Sequence, residues 1–246
     1  MKATALEFRF RYLIHAIIYA LGFTAPWNRW LHLDTIRTWQ LIASWPSRAG
    51  WLSFSDATIA VLVFGILCAL IGALLRTLGA AYLGASIVKG ASMHGEAVVA
   101  AGPYRHVRNP LYLGTFVHTF ALALLMPPSG AIFCIVLIGL FLLRLIASEE
   151  AFLTAKLGES YVAYCAKVPR IVPAITARVP ASATPPTWPT AFLGEIYMWG
   201  VVISFAVLGW RYNSILIIRG VLISLGVALI ARAFIAHPQA PPETNA

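Results

Sequence analysis

Residues 101–114 gather side chains that can hold an anion at the start of a long apolar run. Their sequence is Ala-Gly-Pro-Tyr-Arg-His-Val-Arg-Asn-Pro-Leu-Tyr-Leu-Gly. The glycine–proline pair at 102–103 predicts a turn, and Arg105 and Arg108 can bind an anionic group. The proline at position 110 disfavours helix before it, which predicts that the apolar helix begins beside it. We call residues 101–114 the lip and interpret it as a ligand-binding element.

A second group of polar residues lies at the end of another apolar run. It begins with Glu149-Glu150 and continues with Tyr161, Tyr164 and a Val-Pro-Arg sequence that ends at Arg170. A carboxylate can bind an ammonium group or accept a proton, and a tyrosine can contact a substrate. Arg144 lies near the end of the same apolar run, where an unpaired charge costs about 3 kcal/mol, so we expect it to have a partner.

The lip, the acidic pair and the Val-Pro-Arg sequence, in this order, resemble the isoprenylcysteine carboxyl methyltransferase and phospholipid methyltransferase superfamily of integral membrane enzymes. The resemblance covers residues 75–173. It implies that S-adenosylmethionine binds as methyl donor at the cytoplasmic end of a helical hairpin, without a Rossmann domain. The superfamily more often has histidine where this chain has Asn109, which keeps hydrogen bonding but removes an ionisable ring.

The resemblance places the donor against the lip. An arginine of the lip would hold the donor's carboxylate, and one of the two glutamates would hold its ammonium group. Aromatic rings would face the adenine or the sulfonium, because an aromatic face attracts a cation. Backbone amides at the start of the following helix would add donors. The predicted donor-binding residues are Gly102, Pro103, Tyr104, Arg105, Arg108, Asn109, Pro110, Tyr112, Gly114 and Glu150.

The predicted catalytic residues are Arg144 and Glu149. A carboxylate acceptor needs no strong base, so catalysis would come from alignment, with Arg144 holding the acceptor. An amine acceptor would lose a proton, which Glu149 or a tyrosine would take. Tyr161, Tyr164 and Arg170 are predicted to contact the acceptor. By closest resemblance the acceptor is a prenylcysteine-type carboxylate, and a phospholipid amine is the alternative.

Each of these residues also has a purely structural interpretation. Arginines of the lip can mark the cytoplasmic side, Arg144 can extend to the interface, and tyrosines can form an aromatic belt. Gly114 suits close helix packing as well as it suits donor binding, and His118 is predicted to bond a neighbouring helix. The histidines lack metal-ligand spacing, so no metal is predicted. The three cysteines lack a disulfide pattern.

The composition predicts an integral membrane protein. Hydrophobic residues make up 60% of the chain and charged residues only 11%, and the mean hydropathy is +0.80. Soluble domains carry about 25% charged residues. The net charge of +9 is scattered between apolar runs, which argues against a nucleic-acid partner. We therefore expect membrane lipid around the chain and a lipophilic or lipidated substrate.

Apolar runs predict an all-α, polytopic protein of about six spans. Some of the runs are short for the hydrocarbon layer. A cytoplasmic N-terminus leaves most basic residues, the lip and the C-terminus on the cytoplasmic side. The predicted spans are Tyr12–Ala25, Ala57–Leu75, Leu111–Met126, Ala131–Ile146, Phe192–Trp210 and Ile215–Ile235.

Four regions follow from these runs. Residues 1–74 hold N-terminal spans, with an interfacial amphipathic helix predicted over Trp30–Trp45. Residues 75–178 form the methyltransferase-like core, in which the Pro-Pro turn at 126–130 predicts a tight hairpin that brings the lip and Glu149-Glu150 to the same end. Residues 179–190 are a proline-rich linker that cannot continue a helix, and residues 191–246 are a C-terminal pair of spans interpreted as an appendage.

Two other classes of protein compete with a methyltransferase. A membrane reductase of the sterol type would use a nicotinamide dinucleotide, and it would need more basic and aromatic contacts for two phosphates than the lip offers. A non-catalytic membrane protein would keep the lip as a structural element only. Binding of the donor separates the three classes.

Overall fold

The structure is a computed structural model that describes residues 2–84 and 98–234, and every regular element in these residues is helical. Short 3-10 turns cover Gly102–Arg105, Gly209–Arg211 and Arg232–Phe234, and a π-helical turn covers Ser204–Leu208. The α-helices are α1 Ala5–Arg9, α2 Arg11–Thr24, α3 Trp27–Trp30, α4 Thr38–Arg48, α5 Phe54–Leu83, α6 Pro110–Leu124, α7 Pro128–Leu157, α8 Glu159–Lys167, α9 Trp188–Gly194, α10 Ile196–Ile203 and α11 Ser214–Ala231. The predicted all-α class is confirmed.

The predicted hairpin is confirmed as α6 and α7. Helix α6 begins at Pro110 and ends at Leu124, and α7 begins at Pro128, so three residues reverse the chain. Each helix starts with proline in its first turn, where the missing N–H has no intrahelical partner to lose. The long helix α5 packs along α6, the first helix of the hairpin. The two ends of the hairpin therefore return to one side, which brings the lip towards Glu149-Glu150.

Glycines allow α5 and α6 to approach each other closely. A Cβ on Gly72 would lie 2.8 Å from the Gly114 carbonyl oxygen, and a Cβ on Gly114 would lie 2.8 Å from Arg76 Cγ. Small residues bring helix backbones together in this way inside membranes. Gly114 therefore lies in a helix contact. This contact does not by itself support the predicted role of Gly114 in donor binding.

Fewer helices than the six predicted spans are long and apolar enough to cross a membrane unaided. Within the described residues these are α5, α7 and α11, and the bent pair of α9 with α10 counts as a fourth if taken as one span. Helix α6 is apolar but short, and α2, which contains the first predicted span, has 14 residues. The last predicted span reaches Ile235, which lies outside the described residues.

The predicted amphipathic helix over Trp30–Trp45 is wrong in detail. Helix α3 ends at Trp30, the chain is irregular up to Arg37, and α4 begins at Thr38. Tertiary hydrogen bonds hold the irregular segment, since Arg37 Nη1 donates to Leu125 O at 3.1 Å and Thr38 N donates to Met126 O at 2.8 Å. These bonds to the hairpin turn replace the helical bonds of a continuous helix.

The C-terminal helices are not an appendage. Helix α9 begins at Trp188 inside the predicted linker 179–190, with Pro189 in its first turn, where proline is tolerated. Trp199 Nε1 donates to Thr77 Oγ1 at 2.9 Å, and Glu195 forms an ion pair with Arg76. The C-terminal helices are thus joined to α5 by polar contacts.

We predict that Gly72→Ala lowers stability by about 1–3 kcal/mol, because the added methyl group forces α5 and α6 apart. The same substitution at Gly226 in α11 is the matched control, since a Cβ there meets nothing within 4 Å. Thermal unfolding in detergent measures both variants. Equal unfolding midpoints for the two would contradict the close contact of α5 with α6.

Candidate functional site

Glu150 is the centre of the polar site at the end of the hairpin. Its Oε1 accepts from Arg108 Nη1 at 3.1 Å and from Asn109 Nδ2 at 3.3 Å, and its Oε2 accepts from Arg170 Nη2 at 2.7 Å. The Glu150 carboxylate is buried, which strengthens these charge-assisted bonds. The structure therefore brings together residues from the lip, from α7 and from the Val-Pro-Arg segment.

The lip is held in its conformation by local sequence. Gly102 has a φ of +50°, and a Cβ at this position would collide with the Tyr82 ring at the end of α5. Only glycine adopts this φ without strain, and Pro103 then starts the 3-10 turn. Asn109 has a non-helical backbone (φ −124°, ψ 56°) just before Pro110, the first residue of α6, and its side chain reaches Glu150.

Residues 169–182, the covering segment, follow α8 and are hydrogen bonded to the lip. Arg108 N donates to Pro169 O at 2.9 Å, and Arg178 N donates to Arg105 O at 2.9 Å. Arg105 Nε donates to Val179 O at 2.9 Å, and His106 Nδ1 donates to the Ala174 carbonyl at 2.9 Å. These bonds satisfy lip backbone groups without regular secondary structure.

The hydroxyl groups of two buried tyrosines, Tyr104 and Tyr164, hold the lip in place by hydrogen bonds. Tyr164 donates its hydroxyl to Tyr104 O at 2.7 Å, and the Tyr104 hydroxyl donates to Gly79 O at 3.3 Å. Tyr161 packs against Tyr164, with ring centroids 5.8 Å apart. Burial raises the pKa values of Tyr104 and Tyr164, so both remain hydrogen-bond donors at neutral pH.

Tyr104 was predicted to face the donor, whereas Tyr161 and Tyr164 were predicted to contact the acceptor. The Tyr164 hydroxyl is already bonded to the lip backbone, and both α8 tyrosines are buried with Val168 in a small apolar cluster. In the structure, the two tyrosines of α8 help to hold the lip in place.

Glu149 points to a different partner from its neighbour Glu150. Its carboxylate is hydrogen bonded to the Tyr112 hydroxyl, and Arg11 is near enough to interact with it electrostatically. Tyr112 lies in the part of the lip that forms the first turn of α6. The two consecutive glutamates therefore serve two sides of the hairpin.

Arg144 is paired with the N-terminal helix. Its Nη2 lies 2.8 Å from both carboxylate oxygens of Glu7. Ala3 N donates to Arg144 O at 3.1 Å, and Ser148 Oγ donates to Ala3 O at 3.0 Å. The partner that the sequence demanded is thus Glu7, and the structure does not bring Arg144 to Glu150. Its predicted catalytic role requires an acceptor that displaces Glu7.

An apolar groove of about 190 Å³ begins at the polar site and runs along the hairpin. Asn109 and Tyr112 form its polar end, and the exposed side chain of Leu143 marks its outer edge. Its lining residues are Asn109, Tyr112, Leu113, Phe116, Gly139, Leu142, Leu143, Ile146 and Ile171. The groove therefore joins the surface expected to face lipid with the residues that bind Glu149 and Glu150.

Sequence reasoning missed the ion pair of Arg76 with Glu195. Arg76 Nε and Nη2 lie 2.6 and 2.8 Å from the two carboxylate oxygens of Glu195, and both side chains are buried. The available signal was one charge of each sign within separate apolar runs, since such charges need partners in a membrane.

His118 is also buried near this ion pair. Its ring lies against Tyr197, with ring centroids 5.6 Å apart, and both of its nitrogens lack a partner among the described residues.

The lip has a free donor that suits a carboxylate ligand. Arg108 Nε is buried and has no hydrogen-bond partner among the described residues, although Arg108 Nη1 is bonded to Glu150. The Arg170 side chain is about half exposed, so it can move away from Glu150 at small cost. Within residues 2–84 and 98–234, no group of three His, Cys, Asp or Glu side chains could hold a metal ion.

The fold and the site define a helical integral membrane protein with a buried charged site at one end of a hairpin. Residues 60–160 match the family described as phospholipid methyltransferase, which is part of the superfamily that the sequence resembles, so the resemblance is confirmed. The match implies a membrane methyltransferase. It includes Arg108, Asn109 and Glu150, whereas Arg170 and Glu195 lie outside it. No curated protein and no solved structure matches the chain.

We predict that Tyr164→Phe lowers the free energy of unfolding by about 1 kcal/mol at pH 7, because Tyr104 O loses its buried donor. The folded Tyr164 pKa lies above the ordinary value of 10.0. Its stabilising contribution is therefore complete below pH 10 and is lost as the pH rises through the folded pKa.

The difference between wild type and Tyr164→Phe should accordingly shrink above pH 10. Denaturant unfolding in detergent at pH 7 and at high pH measures it, with exposed Tyr212→Phe as the control. A constant difference at both pH values would argue against a buried, protonated Tyr164.

Proposed function

We propose that the chain is an S-adenosylmethionine-dependent methyltransferase that methylates a lipid within the membrane. The observation that carries the proposal is the convergence of Arg108, Asn109 and Arg170 on the buried Glu150 at the mouth of an apolar groove. The family match over residues 60–160 supports the reaction type. When bound, S-adenosylmethionine supplies an electrophilic methyl group.

The donor's amino-acid end fits the residues around Glu150. Arg108 offers its unpartnered Nε to a carboxylate, and Glu150 offers its Oε2 to an ammonium group once Arg170 moves outward. The covering segment 169–182 shields this site from water, which strengthens each ionic contact. The lip residues thus bind and orient the donor.

The acceptor's apolar chain fits the groove along the hairpin. Each methylene buried there gains about 0.8 kcal/mol relative to water, although a chain arriving from the bilayer gains mainly by packing and alignment. Phe116 and Leu142 line the groove, and Asn109 and Tyr112 close it at the end nearest the donor. Alignment of the acceptor atom with the methyl group supplies most of the catalysis.

The charges at the groove's polar end favour an amine acceptor over the prenylcysteine-type carboxylate. Arg108 and Arg170 are paired with Glu150, and Arg144 is paired with Glu7, so a carboxylate acceptor would have to displace a protein carboxylate. An amine would instead meet Tyr112, whose hydroxyl is bonded to Glu149.

Before an amine can attack, it must lose its proton so that its lone pair is free. Glu149 accepts that proton, directly or through Tyr112. The freed lone pair would then attack the methyl group that a bound donor supplies, with the electron pair of the broken bond left on the donor's sulfur. Glu149 and Tyr112 are therefore the residues that hold and move the proton.

The same binding experiment tests the reductase and non-catalytic alternatives. A nicotinamide dinucleotide needs contacts for two phosphates, and the lip arginines are already engaged by Glu150 and by Val179 O. A purely structural lip would bind neither nucleotide.

We predict saturable binding of S-adenosylmethionine and S-adenosylhomocysteine to the detergent-purified chain, and no saturable binding of NADPH. Glu150→Ala should weaken donor binding at least about a hundredfold, because a buried ionic contact is lost. Glu159→Ala, at an exposed glutamate on α8, is the matched control and should bind normally. Isothermal titration calorimetry measures the three ligands with the wild type and the methyl donor with both variants. A folded wild type that binds neither sulfur compound would overturn the proposal.

We predict that Glu149→Gln and Tyr112→Phe lower kcat for a lipid amine by about 10²-fold or more, with the donor's dissociation constant nearly unchanged. Transfer of a labelled methyl group to a phospholipid amine and to a prenylcysteine analogue, in parallel, measures the preference. Methylation of the carboxylate alone, undiminished in Glu149→Gln, would show that the acceptor is a carboxylate.

A further inference from the structure

The buried ion pair of Arg76 and Glu195 joins α5 to the junction of α9 and α10. In the sequence, α5 precedes the proline-rich linker and this junction follows it. Glu195 is 2% exposed, and both of its carboxylate oxygens are within 2.8 Å of the Arg76 guanidinium. Glu195 occupies the break between α9 and α10, where the chain bends by 64°. It lies outside the residues that match the family, which end at 160.

Arg76 also reaches the first turns of α6, directly behind the lip. Its Nη1 donates to Thr115 Oγ1 at 2.8 Å and lies 3.5 Å from Leu111 O. Because Glu195 holds Nε and Nη2, only Nη1 is directed at α6, which fixes the guanidinium plane against that helix. Asn109 and Pro110 lie at the start of α6, so Arg76 contacts the same end of the helix as the proposed donor site.

A second contact connects the C-terminal helices to the lip. The Trp188 ring at the start of α9 lies edge-on to Tyr82, with centroids 6.3 Å apart, and the Tyr82 ring lies where Gly102 would carry a Cβ. Thr187 N donates to Ala81 O at 2.8 Å, which holds Trp188 in this place. Two separate contacts therefore lead from the C-terminal helices to the two ends of the lip.

We propose that Glu195 is a positioning residue of the donor site, acting through Arg76 on the first turns of α6. This inference rests on the proposed function, since it concerns affinity for the methyl donor. Neutralising Glu195 leaves an unpaired buried charge on Arg76, which turns the guanidinium towards the remaining acceptors on α6. The start of α6 then shifts, and the donor loses its fitted contacts around Glu150.

The test compares two variants that weaken the same helix interface by different routes. Glu195→Gln removes the charge that orients Arg76. Trp199→Phe removes the hydrogen bond to Thr77, the residue after Arg76 on α5, and part of the indole packing, but it leaves the contact of Arg76 with α6 in place. Titration calorimetry of S-adenosylhomocysteine gives the dissociation constant for each, and thermal unfolding shows how far each interface is weakened.

We expect Glu195→Gln to raise the dissociation constant by on the order of tenfold and Trp199→Phe to leave it within about twofold. Thr115→Val keeps the ion pair and removes the Thr115 hydroxyl that Arg76 contacts on α6, so it should raise the constant by about threefold. Thr115→Val is the deciding variant if Glu195→Gln does not fold.

Three results would overturn the inference. Glu195→Gln could bind the donor as wild type does, the two interface variants could weaken binding equally, or Thr115→Val could have no effect when Glu195→Gln is unfolded. A wild-type chain that fails to bind S-adenosylhomocysteine would instead remove the proposed function itself. The experiment therefore separates the two failures.

Discussion

Every charged side chain that this fold carries into an apolar environment needs a partner of opposite charge, and this constraint organises the rest of the structure. A buried ion pair adds little to stability by itself, yet removing one partner costs about 3–5 kcal/mol. Glu150 and Glu195 form such buried pairs with arginines that are distant in sequence, and the more exposed Glu7 is paired with Arg144. The three carboxylates thereby fix the lip to α7, the C-terminal helices to α5, and the N-terminal helix to the end of the hairpin.

The site divides into two compartments that share the hairpin. On the outer side, the lip and the covering segment 169–182 surround Glu150 with charged and amide groups suited to a polar molecule from the aqueous phase. On the membrane side, Tyr112 and the apolar residues of α6 and α7 suit a molecule that arrives through the bilayer. Consecutive glutamates on one helix face these two sides, so under the proposed function the donor and the acceptor would each approach from its own environment.

The sequence predicted the features that depend on local chemistry. Prolines at both starts of the hairpin, and the turn between them, were enough to predict that the lip meets Glu149-Glu150. The partners of Arg144 and Arg76 could not be predicted, because pairing between remote helices depends on how those helices pack. The predicted helix over Trp30–Trp45 failed for the same reason, since bonds from Arg37 and Thr38 to the hairpin turn compete with helical bonds. The structural contacts of the predicted site residues were also beyond the sequence: Gly114 packs against α5, and Tyr164 supports the lip backbone.

The contacts of Ala3 and Glu7 with Arg144 and Ser148 also bear on the order in which the protein is assembled. The ribosome makes the N-terminal residues long before their partners near the end of α7, and chains fold from the N-terminus as they emerge. Residues 3–7 are consequently made before the groups that hold them in place. Their native contacts with Arg144 and Ser148 can form only after α7 has been synthesised.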